Sequence, residues 1–371
     1  MKQIAWLLCL LPILSRAQNS YTVSNRPGVT ANFTTLQGAI DSVAAGSTIY
    51  VFPGKDYGHV TLNKKLSIIG TGFMLDLNNA PYSSPNPEGV VLSSIWFQPG
   101  SDNSYIQGLQ VSGLTQGTHY FRFNLNGVNN ITVNRCLADL WTSFPDGNVL
   151  IQTNNTTNCV FSQCYLMQMN IESVNHSGGT TYSEYGTGSQ NLQFNNNIFD
   201  TRSTGGPFTF NYNINPNYWG NLIFTNNTFN GGINNSLLCN YTFINNIFNS
   251  TTPTASISTT LGLSGPGGFN ITNLTGVLPS HANNLEGVNI DTLFLRSGFG
   301  FHSFDQGLQL QSGSVPKTAA NDGGEVGAFG GYSPYVLSGI PALPMIYSVG
   351  VSRDTAVHGN ALIHIKAQAA Y

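Results

Sequence analysis

The segment MNIESVNHSGGTTYSEYGTG, residues 169–188, brings together three side chains that can move protons: Glu172, His176 and Glu184. Histidine changes its charge near neutral pH, and a neighbouring carboxylate can orient its ring, so His176 could act as a general base. A loop histidine without a chemical role explains the same pattern, and we favour that interpretation. These residues are therefore weak catalytic candidates.

Short apolar segments of alternating pattern carry a second set of candidates. The segments are SIWFQ from Ser94, YFRFN from Tyr120, NVLIQ from Asn148, YSEYG from Tyr182, FTFNY from Phe208 and SLLCN from Ser236. Successive strand residues point to opposite faces, so the phenylalanines at 121, 123, 208 and 210 are expected to face inward. The outward residues are then Trp96, Gln98, Arg122, Asn124, Gln152, Thr209 and Asn211, while the register of Glu184 stays ambiguous.

Six of these residues are predicted to bind ligand: Trp96, Arg122, Asn124, Gln152, Thr209 and Asn211. A guanidinium group, amides and an indole ring can grip sugar carboxylates and hydroxyls through forked hydrogen bonds and ring stacking. An ordinary solvated sheet face, which is normally polar, is the competing explanation.

Catalysis of glycan cleavage has further requirements. A lyase needs a base together with Ca²⁺ or arginine, and a glycosidase needs two opposed carboxylates. The sequence offers only scattered carboxylates, such as Asp139, Asp146, Glu172 and Glu184. A glycine-rich turn explains DGGE from Asp322 more simply than a Ca²⁺ site, so no metal site and no cofactor are predicted.

The elements that must position these residues are defined by a repeat. VNRCLA from Val133, FSQCYL from Phe161, FNNNIF from Phe194, FTNNTF from Phe224 and FINNIF from Phe243 superimpose, with starts 28, 33, 30 and 19 residues apart. A constant motif at irregular spacing indicates stacked coils with inserted loops. The fourth motif position (Cys136, Cys164, Asn197, Asn227 and Asn246) is expected to form a buried column of linked amides at a left-handed bend.

The segment before the first coils contains a predicted helix. Leu36, Ile40 and Val43 fall at helical spacing after a cap at Asn32 or Thr34, and the helix would cover the open end of the stack. This opening, followed by GSTIYVFPGKDYGHVTLNKKLSIIGTG, resembles the pectate-lyase-like right-handed β-helix proteins, and LQLQSGSVPKTAANDGGEVGAFGG resembles the last coils of secreted bacterial members. The resemblance implies an all-β, right-handed parallel β-helix whose outward sheet face carries the substrate groove.

The ends of the chain indicate export. Lys2, an apolar run over residues 4–14 and Ser15-Arg16-Ala17 match a secretory signal, so we expect a signal peptide over 1–17 and a β-helix over 18–335. Residues 336–371, with the strand pattern ALIHIKAQA, form a short C-terminal β segment that either docks on the helix or begins an incomplete module. No apolar stretch has the roughly 20 residues of a membrane-spanning helix.

Charge and cysteines limit the partners. The formal net charge is −3 and no basic block occurs, which argues against nucleic acid as a partner. Cys136, Cys159, Cys164 and Cys239 lack zinc spacing, and their disulfide status stays open. We favour a secreted, non-catalytic protein that binds extracellular polysaccharide, acidic chains included, or acts as an adhesive surface scaffold. The alternative is a polysaccharide lyase or glycoside hydrolase acting on an acidic glycan.

Overall fold

The computed structural model describes residues 19–78, 82, 84, 88–112, 121–138, 149–167, 171–172, 189–200, 208–210, 222–231, 233–235, 241–249, 267–278, 283–289, 292–295, 304–343, 345–353 and 361–368. The predicted signal peptide lies outside these ranges. In the described part, no helix is long and apolar enough to cross a membrane.

Three parallel sheets form a β-helix. We name them the short sheet, the long sheet and the covered sheet, and the chain passes through them in that order. The long sheet contains Ser20–Val23, Thr48–Val51, Ser67–Ile69, Tyr105–Gln107, Thr132–Asn134, Val160–Ser162, Leu192–Asn195, Leu222–Thr225 and Tyr241–Ile244. The covered sheet contains Val91–Leu92, Gln110–Val111, Leu137–Ala138, Tyr165–Met167, Ile198–Asp200, Thr228–Asn230, Ile247–Asn249 and Ile271–Thr272. The short sheet contains His59–Leu62, Ser94–Phe97, Phe121–Asn126, Val149–Asn154 and Ile171–Glu172.

Two further strand pairs accompany the three sheets. Phe208–Phe210 pairs in parallel with Ile233–Asn235. Met345–Arg353 and Ala361–Gln368 form an antiparallel hairpin, which confirms the strand expected from the ALIHIKAQA pattern.

The core is built from stacked columns of like residues, as the repeat predicts. Phe161, Phe194 and Phe224 stack with ring centroids 5.4 and 4.9 Å apart, and Phe199 stacks on Phe229 at 4.6 Å. All five rings are fully buried. Consecutive coils present the same side chain at the same place, so the rings stack. Stacking stabilises the core beyond the contribution of the apolar area that the rings bury.

A ladder of asparagines, the first four of them buried, runs beside the aromatic columns and confirms the predicted amide column. Its members are Asn197, Asn227, Asn246, Asn270 and Asn284, and each Nδ2 donates to the Oδ1 of the next at 2.9–3.1 Å. Toward the N-terminus, Cys164 donates its backbone N–H to Asn197 Oδ1, and its own Sγ accepts from the backbone N–H of Cys136. Both thiols are buried and free.

The left-handed bend lies one residue earlier than expected. Arg135, Gln163, Asn196, Asn226 and Asn245 have φ between 49° and 57°. The ladder residue must point its amide into the core, so the preceding residue makes the turn and points its side chain outward.

The N-terminal helix spans Leu36–Ser42, and its N-cap is Thr35 rather than Asn32 or Thr34. The Thr35 side chain accepts from the backbone N–H of Gly38, which satisfies one of the free donors of the first turn. Leu36, Ala39 and Ile40 are buried against the first coils, so the helix covers their apolar interior.

Residues 304–343, here named the strap, run back along the outer face of the covered sheet. Short 3-10 helices at Gln306–Leu308, Val315–Thr318 and Leu337–Gly339 interrupt the strap. Its apolar residues bury the outward side chains of the sheet in a second core that includes Leu137, Tyr165, Met167, Ile198, Ile247, Ile271, Leu308, Leu310, Val326, Ala328, Tyr335 and Leu337.

Outward side chains at the left-handed bends hold the strap in place. Asn196 Nδ2 donates to the carbonyls of Ala328 and Gly330, and Arg135 Nη1 donates to the carbonyl of Ile340. Gln163 and Asn245 make similar contacts, with Ser333 and Asn321 among their partners. From Asn321 to Ile340 the strap therefore passes the coils in reverse order, while Asp305 near its start accepts hydrogen bonds from Asn78 and Ser338.

The long sheet turns two rows of uncharged side chains outward. In register across eight strands, one row contains Thr48, Ser67, Tyr105, Thr132, Val160, Gln193, Ile223 and Thr242, and the other contains Tyr50, Ile69, Gln107, Asn134, Ser162, Asn195, Thr225 and Ile244. All except Thr48 and Gln107 are partly exposed.

Candidate functional site

The short sheet places three of the predicted binding residues in one row. Trp96, Asn124 and Gln152 lie opposite one another on consecutive strands, and the backbone of Glu172 pairs next to Gln152. Thr61 begins the row beside Trp96. The strand that follows Val149–Asn154 in this sheet is therefore Ile171–Glu172, and the expected strand from Tyr182 lies outside the described residues.

Thr209 belongs to the separate pair of strands, where it lies opposite Asn234. His176, Glu184 and Asn211 lie outside the described residues.

Amide groups along this face bond to one another. Asn124 Nδ2 donates to Gln152 Oε1 at 2.8 Å, and because Gln152 is only 4% exposed, its amide orients that of Asn124 and is itself largely covered. In a second row, Asn154 Nδ2 donates to Asn126 Oδ1 at 3.1 Å, and Asn126 Nδ2 approaches Gln98 Oε1 at 3.5 Å. Asn126 and Asn154 were missed by the sequence analysis, although the alternation in FRFNLN and VLIQTN continues one step further and could have revealed them.

At the N-terminal end of the face, His59 contacts Trp96 edge-on, with ring centroids 4.6 Å apart. Its Nδ1 lies 2.7 Å from Ser94 Oγ, and its Nε2 lies 3.0 Å from Thr61 Oγ1. Ser94 is fully buried, whereas His59, Thr61 and Trp96 are partly exposed. The alternation of GHVTL indicates the outward positions of His59 and Thr61, which the sequence analysis did not use.

Arg122 lies on the predicted side of its strand, but only 3% of it is exposed. Its Nη1 donates to the backbone carbonyl of Ser93 at 2.8 Å. Ser93 Oγ in turn donates to Asp56 Oδ2 at 3.0 Å. The expectation of a projecting cation is therefore corrected, because the guanidinium group braces the preceding coil.

The described residues contain no group of three histidine, cysteine, aspartate or glutamate side chains that could hold a metal ion. What the face offers is a set of amide and hydroxyl groups fixed by mutual hydrogen bonds beside one indole ring. Such a surface can bind hydroxyl groups in a defined orientation.

No protein-family model matches the chain, and no curated protein is significantly similar to it.

Proposed function

We propose that the protein is exported and binds extracellular polysaccharide along the outer face of the short sheet, without cleaving it. The observation that carries the proposal is the row of Trp96, Asn124 and Gln152, in which an indole ring stands in register with bonded amides. Indole stacks on the apolar faces of sugar rings, and amides both donate to and accept from hydroxyl groups.

Preorganisation supports this proposal. The Asn124–Gln152 and Asn126–Asn154 hydrogen bonds hold the side chains in one arrangement before ligand arrives. Binding to a fixed surface loses less conformational entropy than binding to free side chains. The resemblance of the opening coils to pectate-lyase-like proteins, whose groove lies on the corresponding face, supports the same location.

The buried position of Arg122 limits what can be proposed about an acidic ligand. The guanidinium group is almost fully buried and donates to the carbonyl of Ser93, so it does not present its charge to a uronate at the surface. An acidic glycan remains within the proposal, but the amides and Trp96 supply its main contacts.

A polysaccharide lyase or hydrolase is the second candidate, and one observation favours it. The backbone pairing of Gln152 with Glu172 brings a carboxylate-bearing position to the end of the same row. Among the described residues of this row, Glu172 is the one carboxylate-bearing position, which falls short of the two carboxylates of glycosidases, so binding without cleavage ranks first.

A glycan array with the mature protein tests the proposal, followed by titration of each bound glycan. We expect Trp96→Ala to weaken the binding of at least one of these glycans about tenfold, since truncating an aromatic anchor costs on the order of 1 kcal/mol or more. Tyr332→Ala, which changes a fully exposed aromatic residue on the strap, is the matched control and should bind normally.

Equal binding of every bound glycan by wild type and Trp96→Ala, or no binding to any glycan, would contradict the proposed function. An absorbance assay for unsaturated products and a reducing-end assay on the same glycans separate the two candidates. Product formation that depends on Glu172 would establish the enzyme instead.

A further inference from the structure

The outer face of the long sheet is distinct from the candidate site and extends along the stack. Its two registered rows cross eight strands, which at about 4.8 Å per strand correspond to roughly 34 Å between the first and last strand. No residue in either row is charged. Threonine, serine, asparagine, glutamine and tyrosine provide most of the exposed groups.

The centre of this face is preorganised by side-chain hydrogen bonds. Asn134 Oδ1 accepts from Tyr105 Oη at 3.2 Å and from Gln107 Nε2 at 3.0 Å, while Asn134 Nδ2 donates to Ser162 Oγ at 2.8 Å. Burial raises the pKa of Tyr105 to about 12, against the opposing effect of the Arg135 charge. The phenol therefore stays protonated and neutral at physiological pH.

One border of the face carries an additional set of amides at the turns before the strands. Asn130 Nδ2 donates to Asn103 Oδ1 at 3.2 Å, and Asn191 Nδ2 donates to Asn158 Oδ1 at 3.1 Å. Asp102 lies at the same border, where its carboxylate accepts two hydrogen bonds from Asn129. These exposed amides extend the set of hydrogen-bonding groups beyond the edge of the long sheet.

We infer that this face is a second binding surface, and that it takes an uncharged polysaccharide chain lying along the helix axis. The two rows offer a charged ligand no opposite charge in return for its lost water, and the neighbouring Arg135 already donates to Gln163 and the carbonyl of Ile340. Hydroxyl-rich sugars match the amide and hydroxyl groups, and the strand repeat is comparable with the length of one sugar ring. The interface cores between proteins are instead enriched in aromatic residues and arginine, which makes a second copy of the chain the poorer fit.

Isosteric charge insertion tests this inference. The double variant Gln193→Glu with Asn195→Asp places two carboxylates on one strand of the face while keeping the side-chain shapes. Cellulose and chitin suspensions, soluble xyloglucan and laminarin serve as neutral probes, and polygalacturonate as the charged one. The matched control is Asn283→Asp with Asn289→Asp, which adds the same charge at exposed positions elsewhere.

We expect wild type and the control to bind at least one neutral probe, and the double variant to bind it about tenfold more weakly, because a carboxylate must then be desolvated. Trp96→Ala should retain this binding, which separates the long-sheet face from the candidate site. The inference fails if wild type binds no neutral probe, or if the double variant binds equally well. It also fails if sedimentation velocity shows a wild-type dimer that the double variant dissociates, since the face would then hold a second copy.

Discussion

Asn227 and Asn246 are joined by two hydrogen bonds to a single oxygen: Asn246 Oδ1 accepts from Asn227 Nδ2 at 2.9 Å and from the Asn227 backbone N–H at 2.8 Å. Asn227 Nδ2 also donates to the carbonyl of Phe194. One amide thus satisfies polar groups on two neighbouring coils inside the core.

Asn227→Leu should therefore lower the free energy of unfolding by about 1–3 kcal/mol, because buried donors and acceptors lose their partners. Urea denaturation measures the loss. Asn195→Leu, on the exposed side of the preceding coil, is the control and should change stability little. An unchanged unfolding midpoint for Asn227→Leu would show that the ladder does not stabilise the stack.

The stacked thiols of Cys136 and Cys164 should not react in the native protein. Both are fully buried, and burial raises the pKa of Cys164 well above its ordinary value, which suppresses the reactive thiolate. Peptide mapping after brief iodoacetamide treatment should find both cysteines unmodified in buffer and alkylated in urea. Rapid alkylation without denaturant would contradict their burial.

The attachment of the strap to the coils should depend on Asn196. Asn196→Asp keeps the size of the side chain but turns a donor toward two carbonyls into an acceptor, so we expect a loss of about 1–3 kcal/mol. Asn103→Asp is the control, because the backbone of Asn103 is also left-handed. Asn103 is exposed, however, and its side-chain oxygen accepts from Asn130. Limited proteolysis should cut the strap faster in Asn196→Asp alone; equal cutting of both variants would exclude this role.

Arg122 should matter for stability. Arg122→Ala leaves the buried carbonyl of Ser93 without this donor, and we expect a loss of about 1–3 kcal/mol in the free energy of unfolding. Arg26→Ala breaks an exposed ion pair with Glu88, which typically contributes about 0–1 kcal/mol, and serves as the control. Thermal melts compare the two variants, and a wild-type melting temperature for Arg122→Ala would refute the bracing role.

Protonation of the Glu286 carboxylate should lower the stability of the fold in acid. Burial tends to raise the pKa of its carboxyl, but backbone N–H groups of Leu278, Gly276 and Val277 donate to it and the net pKa lies below 4.5. A lowered folded-state pKa contributes stability that is present above the unfolded pKa and is lost as pH falls through the folded value. Wild type should lose more stability than Glu286→Gln below about pH 4.5, and parallel pH profiles of their melting temperatures would contradict this.

The repeat made the stacked core predictable, because the spacing of Phe161, Phe194 and Phe224 is visible in the sequence. The burial of Arg122 was not predictable in the same way, since it depends on a carbonyl 29 residues earlier in the chain. The strap escaped prediction for a related reason. Its contacts use backbone carbonyls, such as those of Ala328 and Gly330, which leave no pattern of side-chain types.

A stack of coils in which each coil touches only its neighbours can unfold gradually from either end. The strap changes this behaviour, because Asn321 in its middle bonds to Asn245 in a late coil and Ser338 near its end bonds to Phe73 in an early one. Unfolding of the first coils therefore also weakens the attachment of the strap to the last coils. The array should behave as one cooperative unit, with a single sharp transition in place of a progressive melt.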